Sequence, residues 1–392
     1  MHRNLWQILS DRRLWRGPAI AVIILLVAVN FWVRSYGDWS VAGSQKEAQR
    51  KATQQVVPTT ESTPRYDFSD GEDLERYWPF IPDARRGRLV IVSGMSQMNS
   101  IDDPAPGDQL ICEWLDDSLS AKGTRAWGLA ASNLCNEEAV FQLISLVSEP
   151  ATRPSIFIYP LCFDKMRDVD LRPGYERFLR ARPAVQQAYA AAAQRYRERY
   201  PAAAAKMLQT LEHVQQSSRQ ADQSFEGRLR RNTEQFLPLV ASRKELNIHA
   251  QLKLFALRNL VLNIKSTQKR PMILARFEMN FQFLRLLADL ARENGVQVIY
   301  YVVPMNPRGD SPYVASEYVA FKERSEKFCR EENIPFANLE KVVPAGDWGV
   351  HQDGPDFKHF RGPGHQKTAA AILEYFGPLL SGAGSQLSGA GQ

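Results

Sequence analysis

Cysteine is scarce in this chain, with only Cys112, Cys135, Cys162 and Cys329 among 392 residues, and no two of them form a C-x-x-C pair. That spacing argues against a zinc site and leaves a disulfide permitted but not required, with Cys112 and Cys135 the preferred pair. Charge of one sign is not in large excess either. The formal net charge of +6 is modest for this length, and part of it comes from the N-terminal segment, so it argues only weakly for a nucleic-acid partner. A phosphate-cradling Gly-rich loop, a dinucleotide fingerprint and a nucleic-acid motif are all missing, so neither a cofactor nor nucleic acid is expected. His351 and His365 flank one loop without a companion ligand set, and no metal is expected there. What remains is a globular composition, 44% hydrophobic and 23% charged, in a chain long enough for a sizeable core.

One long apolar run stands out. Residues 17–33 carry no charge and only Asn30 is strongly polar; Trp15 and Trp32 fall at the two ends, and Arg3, Arg12, Arg13 and Arg16 precede the run against a lone Arg34 behind it. At about 1.5 Å per residue the run is just long enough to span a hydrocarbon core, and the positive bias places the N-terminus in the cytoplasm. It is longer than the apolar core of a cleaved signal peptide, and no A-x-A site follows it. The expectation is a cytoplasmic N-terminus over 1–16, a single transmembrane helix over 17–34, and an extracytoplasmic remainder, periplasmic or extracellular. Residues 35–80 read as a tether, because 44–65 are rich in Gln, Thr and Pro and show no apolar period.

Beyond the tether, short apolar runs recur at 89–92, 126–129, 155–159 and 296–303, each with the look of a strand buried on both faces. Segments 137–147 and 281–291 place apolar residues at helical spacing. Alternating strand and helix predicts an α/β domain over 81–380, a parallel sheet flanked by helices. Within it, 173–276 has no strand-like run and is full of Ala, Gln, Arg and Leu, which predicts a long helical insertion. Beside the strand ends it would form a lid or docking surface; the alternative is an elaboration that merely packs on the sheet. Residues 381–392 read as a flexible tail.

Two stretches carry candidate chemistry. In 90–99, Val-Ile-Val-Ser-Gly-Met-Ser-Gln-Met-Asn, a strand runs into Gly-x-Ser and a turn of helix, presenting Ser96 above the sheet beside free helix N–H groups. As an alternative, Ser96 is a helix cap. In 353–366, Asp-Gly-Pro-Asp-Phe-Lys-His-Phe-Arg-Gly-Pro-Gly-His-Gln, the spacing Asp356-x-x-His359 on a loop lets the carboxylate fold back to the imidazole and fix its tautomer, as serine activation requires; otherwise Asp356 caps a turn. Trp348 and Phe360, near this loop, are candidates either for stacking on a sugar face or for packing.

Together, Gly-x-Ser after the first strand and Asp-x-x-His before the last helix resemble the SGNH (GDSL-like) hydrolase superfamily. Residues 102–106, Asp-Asp-Pro-Ala-Pro, with 302–306, Val-Val-Pro-Met-Asn, and the N-terminal run look most like DltD-like proteins and the anchored extracytoplasmic proteins of exopolysaccharide O-acetylation. The resemblance implies an SGNH-like sheet, with Ser96 as nucleophile, His359 as base and Asp356 as its partner. It implies an oxyanion donor at Gly128 or Ala131, and Asn306 lies near the site by chain order or serves as a turn residue before Pro307. Met95 stands where the motif has Asp, and 160–166, Pro-Leu-Cys-Phe-Asp-Lys-Met, lacks the third-block asparagine. The function implied is a membrane-anchored serine O-acyltransferase acting on an envelope polymer, a polysaccharide or teichoic-acid-like acceptor, with a membrane-bound O-acyltransferase as partner. The alternatives are an esterase with the same triad and a non-catalytic assembly protein.

Overall fold

The computed structural model describes residues 74–75, 78–81, 83–223, 269–308, 311–351 and 354–382. The cytoplasmic segment 1–16, the transmembrane helix 17–34, nearly all of the tether 35–80, the middle of the insertion and the tail from 383 onward lie outside them. Among the described residues, no helix is long and apolar enough to cross a membrane. The chain divides into two units. One, 56–219 with 265–392, holds the whole sheet; the other, 1–55 with 220–264, lies outside the described residues apart from 220–223.

Five parallel strands, β1 (Arg88–Gly94), β2 (Thr124–Ala130), β3 (Ile156–Leu161), β4 (Gln297–Val302) and β5 (Phe336–Asn338), form a sheet in the order β2-β1-β3-β4-β5. The first four coincide with the apolar runs, which are continuous because both faces are covered. Leu89 and Ile91 of β1 enter one core, while Val90 and Val92 enter the other. β5 is a three-residue edge strand, too short to leave a pattern in the sequence.

Helix placement follows from strand order. The chain leaves β1 through the one-turn α1 (Ser96–Asn99) and α2 (Ile111–Ser120) to reach β2 on one side, then returns through α3 (Asn136–Ser148) to β3 on the other. Because a right-handed crossover puts its helix on the face set by the direction of travel, α2 and α3 fall on opposite faces. Accordingly Ile111, Leu115 and Leu119 pack with Val90 and Val92, whereas Val140, Phe141 and Ile144 pack with Leu89 and Ile91. This arrangement rules out the Cys112–Cys135 disulfide, since Cys112 on α2 and Cys135 at the start of α3 belong to opposite layers. All four cysteines are free and buried. Burial pushes their thiols up, that of Cys329 to about 12.

The insertion follows β3 as α4 (Pro173–Ala181), α5 (Pro183–Arg195) and α6 (Pro201–Gln223), each opening on a proline that suits a first helical position. It returns to the sheet through α7 (Leu274–Glu293), which begins within the segment expected to close the insertion. Its described helices pack on α3 and α7. Tyr200 donates its hydroxyl to Asp289 at 2.6 Å, and the Ala202 and Ala203 amides donate to Gln282 Oε1 at 2.8 and 3.2 Å. The described part is thus an outer helical layer on one face of the sheet. After β4 come α8 (Ala315–Glu331), β5, an antiparallel hairpin of β6 (Trp348–His351) and β7 (Gly354–Phe360), and α9 (Gly362–Leu380).

Under the insertion lies Glu137, fully buried on α3. One carboxylate oxygen accepts from Tyr189 of α5 at 2.9 Å and Thr210 of α6 at 2.7 Å, while Oε2 is buried with no hydrogen-bond partner. Burial raises this carboxyl above its ordinary value, and the Thr210 hydrogen bond and the Lys206 charge only partly oppose it. A raised carboxyl favours the folded state fully below the unfolded value, about 4.3, and that contribution is lost as pH rises through the folded value. Glu137→Gln should therefore flatten the fall in stability on the alkaline side. The check is urea unfolding of both proteins from pH 4 to pH 8, and parallel profiles would refute it.

Candidate active site

The site lies at the carboxyl ends of β1 and β3, where strand order reverses and an open α/β sheet leaves a crevice. Pairing between β1 and β3 stops at Val92 with Ile158. Two residues further on β3 is Pro160, which has no N–H to continue a ladder, and its ring lies against Gly94. Gly94 has φ 152°, and a Cβ there would lie 2.7 Å from both Met98 Cγ and Pro160 Cγ. The glycine lets the chain leave the sheet tightly enough for Ser96 to open α1 directly above the strand. The Ser96 and Gln97 N–H groups open α1 without an intrahelical acceptor, while the Met98 amide donates to Met95 O at 2.8 Å. Met95, where the motif has Asp, is buried in the core, and the buried Gln97 amide donates to Pro304 O at 3.1 Å, tying α1 to the segment after β4.

The second half of the site comes from the other end of the chain. Asp356 and His359, expected on a loop, lie instead on β7. Asp356 is 4% exposed; one oxygen accepts from the Lys358 amide at 2.6 Å, and Oδ2 lies 2.6 Å from His359 Nδ1. Because a carboxylate can only accept, Nδ1 carries the proton and Nε2 is left as an acceptor. Nε2 lies 2.8 Å from Ser96 Oγ. The structure thus brings Ser96, His359 and Asp356 into one hydrogen-bonded chain.

What closes the gap between the two halves is a run of aspartates after α1. The Asp102 amide donates to Phe360 O at 3.1 Å. The β6–β7 register shifts between Trp348 and Val350, and in that irregularity a Cβ on Gly349 would come within 1.7 Å of Asp102 Oδ2. Asp103 pairs with Arg361 at 3.2 Å, and a Cβ on Gly362, the first residue of α9, would come within 1.9 Å of Asp108 Oδ1. A carboxylate suits that helix N-terminus, where N–H groups and the dipole present positive charge. From α9 the buried His365 donates through Nε2 to Ser100 O at 3.1 Å, so this histidine fastens the loop.

The other residues singled out in the sequence take different places. Gly128 pairs with Val92 inside the sheet, two register positions short of Gly94, with the Cys112 thiol packed where its side chain would be. The Ala131 amide is engaged by Gly94 O at 2.9 Å. The Ala131 amide is therefore already engaged, and Gly128 lies within the sheet, short of the end of β1 that leads to Ser96. Asn306 donates to the Asp356 carbonyl at 2.7 Å and accepts from the Arg308 amide at 2.9 Å, so it is a turn residue that also braces the strand carrying Asp356. Trp348 and Phe360 are buried edge to face at 5.4 Å and present no stacking surface. In place of the third-block asparagine the turn after β3 offers Asp164, which pairs with Arg270 at 2.7 Å and Lys358 at 3.1 Å. Burial opposes its ionisation, but the two cations outweigh burial and hold the carboxyl below its ordinary value.

Asp102 is a residue that site reading from the sequence missed. Asp102, Asp356 and His359 form the one group of potential metal ligands found among the described residues, their ligand atoms within 4.8 Å of one another. Both imidazole nitrogens are already engaged, one by Asp356 and one by Ser96, so an ion there would displace one of these bonds.

No family model and no curated protein matches this sequence. Among solved structures, a GDSL-like lipase from Bacteroides thetaiotaomicron is 11% identical with a TM-score of 0.36, over 80% of this chain and 100% of that one. A protein described as an acylhydrolase, from Bacteroides fragilis, is 10% identical with a TM-score of 0.35, over 80% of this chain and 99% of that one. Likeness at this level says nothing of the reaction, and the chemistry is read from the site's own geometry.

Gly94→Ala should cost about 2 to 4 kcal/mol, combining a disfavoured backbone angle with overpacking against Met98 and Pro160. Denaturant unfolding measures it, and a loss under 0.5 kcal/mol (about the scale of a neutral surface change) would contradict the tight exit from β1.

Proposed function

We propose that this chain is a serine acyl-transfer enzyme working through an acyl-Ser96 intermediate. The observation that carries the reading is the relay itself, Ser96 Oγ to His359 Nε2 at 2.8 Å and His359 Nδ1 to Asp356 Oδ2 at 2.6 Å, set at the crevice of a parallel sheet.

In this mechanism His359 Nε2 takes the Ser96 proton as Oγ attacks the donor ester carbonyl. Asp356 steadies the imidazolium through the Nδ1–H bond. In this reading the donors to the oxygen on which negative charge develops are the Ser96 and Gln97 N–H groups that open α1 beside the nucleophile. When the tetrahedral intermediate collapses, the leaving alcohol takes the proton back from Nε2 and the acyl group stays on Ser96. An acceptor hydroxyl then repeats the steps in reverse, His359 taking its proton while the acyl–Oγ bond breaks and Ser96 is regenerated.

The acceptor in this proposal is a hydroxyl of an envelope polymer, polysaccharide or teichoic-acid-like. Its support is the apolar run 17–33, read as part of a single membrane anchor over 17–34 with the described domain outside the membrane, and the motif resemblance. A membrane-bound O-acyltransferase would supply the acyl group from within the bilayer. Two-step covalent transfer suits a site that receives from one substrate and delivers to another.

Incubation with a p-nitrophenyl acyl ester should leave an acyl mass on the peptide containing Ser96. Turnover should fall by about 10⁴-fold in Ser96→Ala and in His359→Ala. Intact mass and peptide mapping read the adduct. Added polysaccharide that takes up the label supports transfer, release as free acid with polymer present points to an esterase, and no adduct with no turnover overturns both in favour of an assembly role.

A further inference from the structure

We propose that Asp102 is a positioning residue for His359, a second carboxylate that steadies the imidazolium alongside Asp356; this rests on the serine reading above. Its ligand atom lies within 4.8 Å of those of both Asp356 and His359, a grouping not repeated among the described histidines, cysteines and acids. Its placement is specified twice over. The amide of Asp102 is fixed to Phe360 O at 3.1 Å, the residue after His359, and the space for its carboxylate exists because position 349 is glycine at the shifted register of the hairpin. A carboxylate needed only to finish a turn would not require a gap cut for it in another strand.

The neighbouring charges leave this role to Asp102. Lys358 on β7 is held by Asp164 at 3.1 Å, Arg361 is held by Asp103 at 3.2 Å, and His365 on α9 is turned to Ser100 O at 3.1 Å. Asp356 makes the direct Nδ1 bond and fixes the tautomer. Asp102 contributes through its charge, at a range where a partly buried pair still interacts appreciably. A charge that favours the imidazolium speeds the step in which His359 takes the serine proton, but at low pH it also favours the resting protonated ring, which cannot act as a base. The two effects oppose each other on the acid side only.

The test is the rate at which a fluorophosphonate labels Ser96 between pH 5 and pH 9, in the full chain and in Asp102→Asn. Labelling should be about tenfold slower in the variant on the alkaline plateau, and the deficit should shrink toward none on the acid limb. A displaced loop would slow labelling by the same factor at every pH, and that result, or an unchanged rate throughout, overturns the proposal. Asp102→Ser carries the same expectation and covers the case in which Asn does not seat over Gly349. If the unmodified chain is not labelled at Ser96 at all, the serine reading fails and the role of Asp102 with it; labelling with a pH-independent deficit removes only the role of Asp102.

Discussion

The site depends on a hydrogen bond between residues 263 positions apart, Ser96 on the first strand's exit and His359 on the last hairpin. Neither group can hold the other, because a single contact of this kind contributes about 1 kcal/mol net. The geometry is imposed from outside the pair. Asp102 and Asp108 fill spaces left by Gly349 and Gly362, Asp103 holds Arg361, and His365 reaches back to Ser100. Backbone and carboxylate contacts thereby fasten the loop after α1 to both the hairpin and the head of α9, on either side of His359. A site so braced holds Ser96 and His359 in place mainly through backbone and short side-chain contacts.

Much of the fold was legible because burial leaves a local trace. Strands covered on both faces become unbroken apolar runs, and β1 to β4 showed themselves in this way. β5, with three residues, has no room for a period, and β7 carries Asp356 and His359 where a buried strand would carry apolar residues. The Asp-x-x-His spacing was visible because both residues are local to one another. The role of the aspartates was not, since the run around Asp102 reads as turn chemistry until one knows which glycine it meets. A usable signal was present in Gly349, an isolated glycine in a strand, which often marks a bulge or the close approach of another group. The engagement of the Ala131 amide, inferred by resemblance as an oxyanion donor, was hidden for a related reason. Whether Ala131 has a free amide depends on sheet register, which a sequence does not print.

Two buried carboxylates show how the layers differ. On the insertion side, Glu137 is met by hydroxyls from Tyr189 and Thr210, and burial dominates its ionisation. At the sheet's end, Asp164 is met by Arg270 and Lys358, and the cations dominate. The first arrangement favours a neutral acid in a packed interface. The second joins three chain segments, the turn after β3, the approach to α7 and β7, by charge beyond the carboxyl end of β3.

The distance along the chain between the two halves also bears on how the protein is made. A chain folds as it is synthesised, its N-terminal part emerging first. During that time Ser96 is an ordinary alcohol, with no imidazole to take its proton until the last hairpin exists. The contacts that brace His359 beside the serine, including that of Asp108 at the glycine head of α9, depend on the last segments of the chain to be made. On the serine reading, a chain arranged in this way can complete its relay only once its last hairpin has been made.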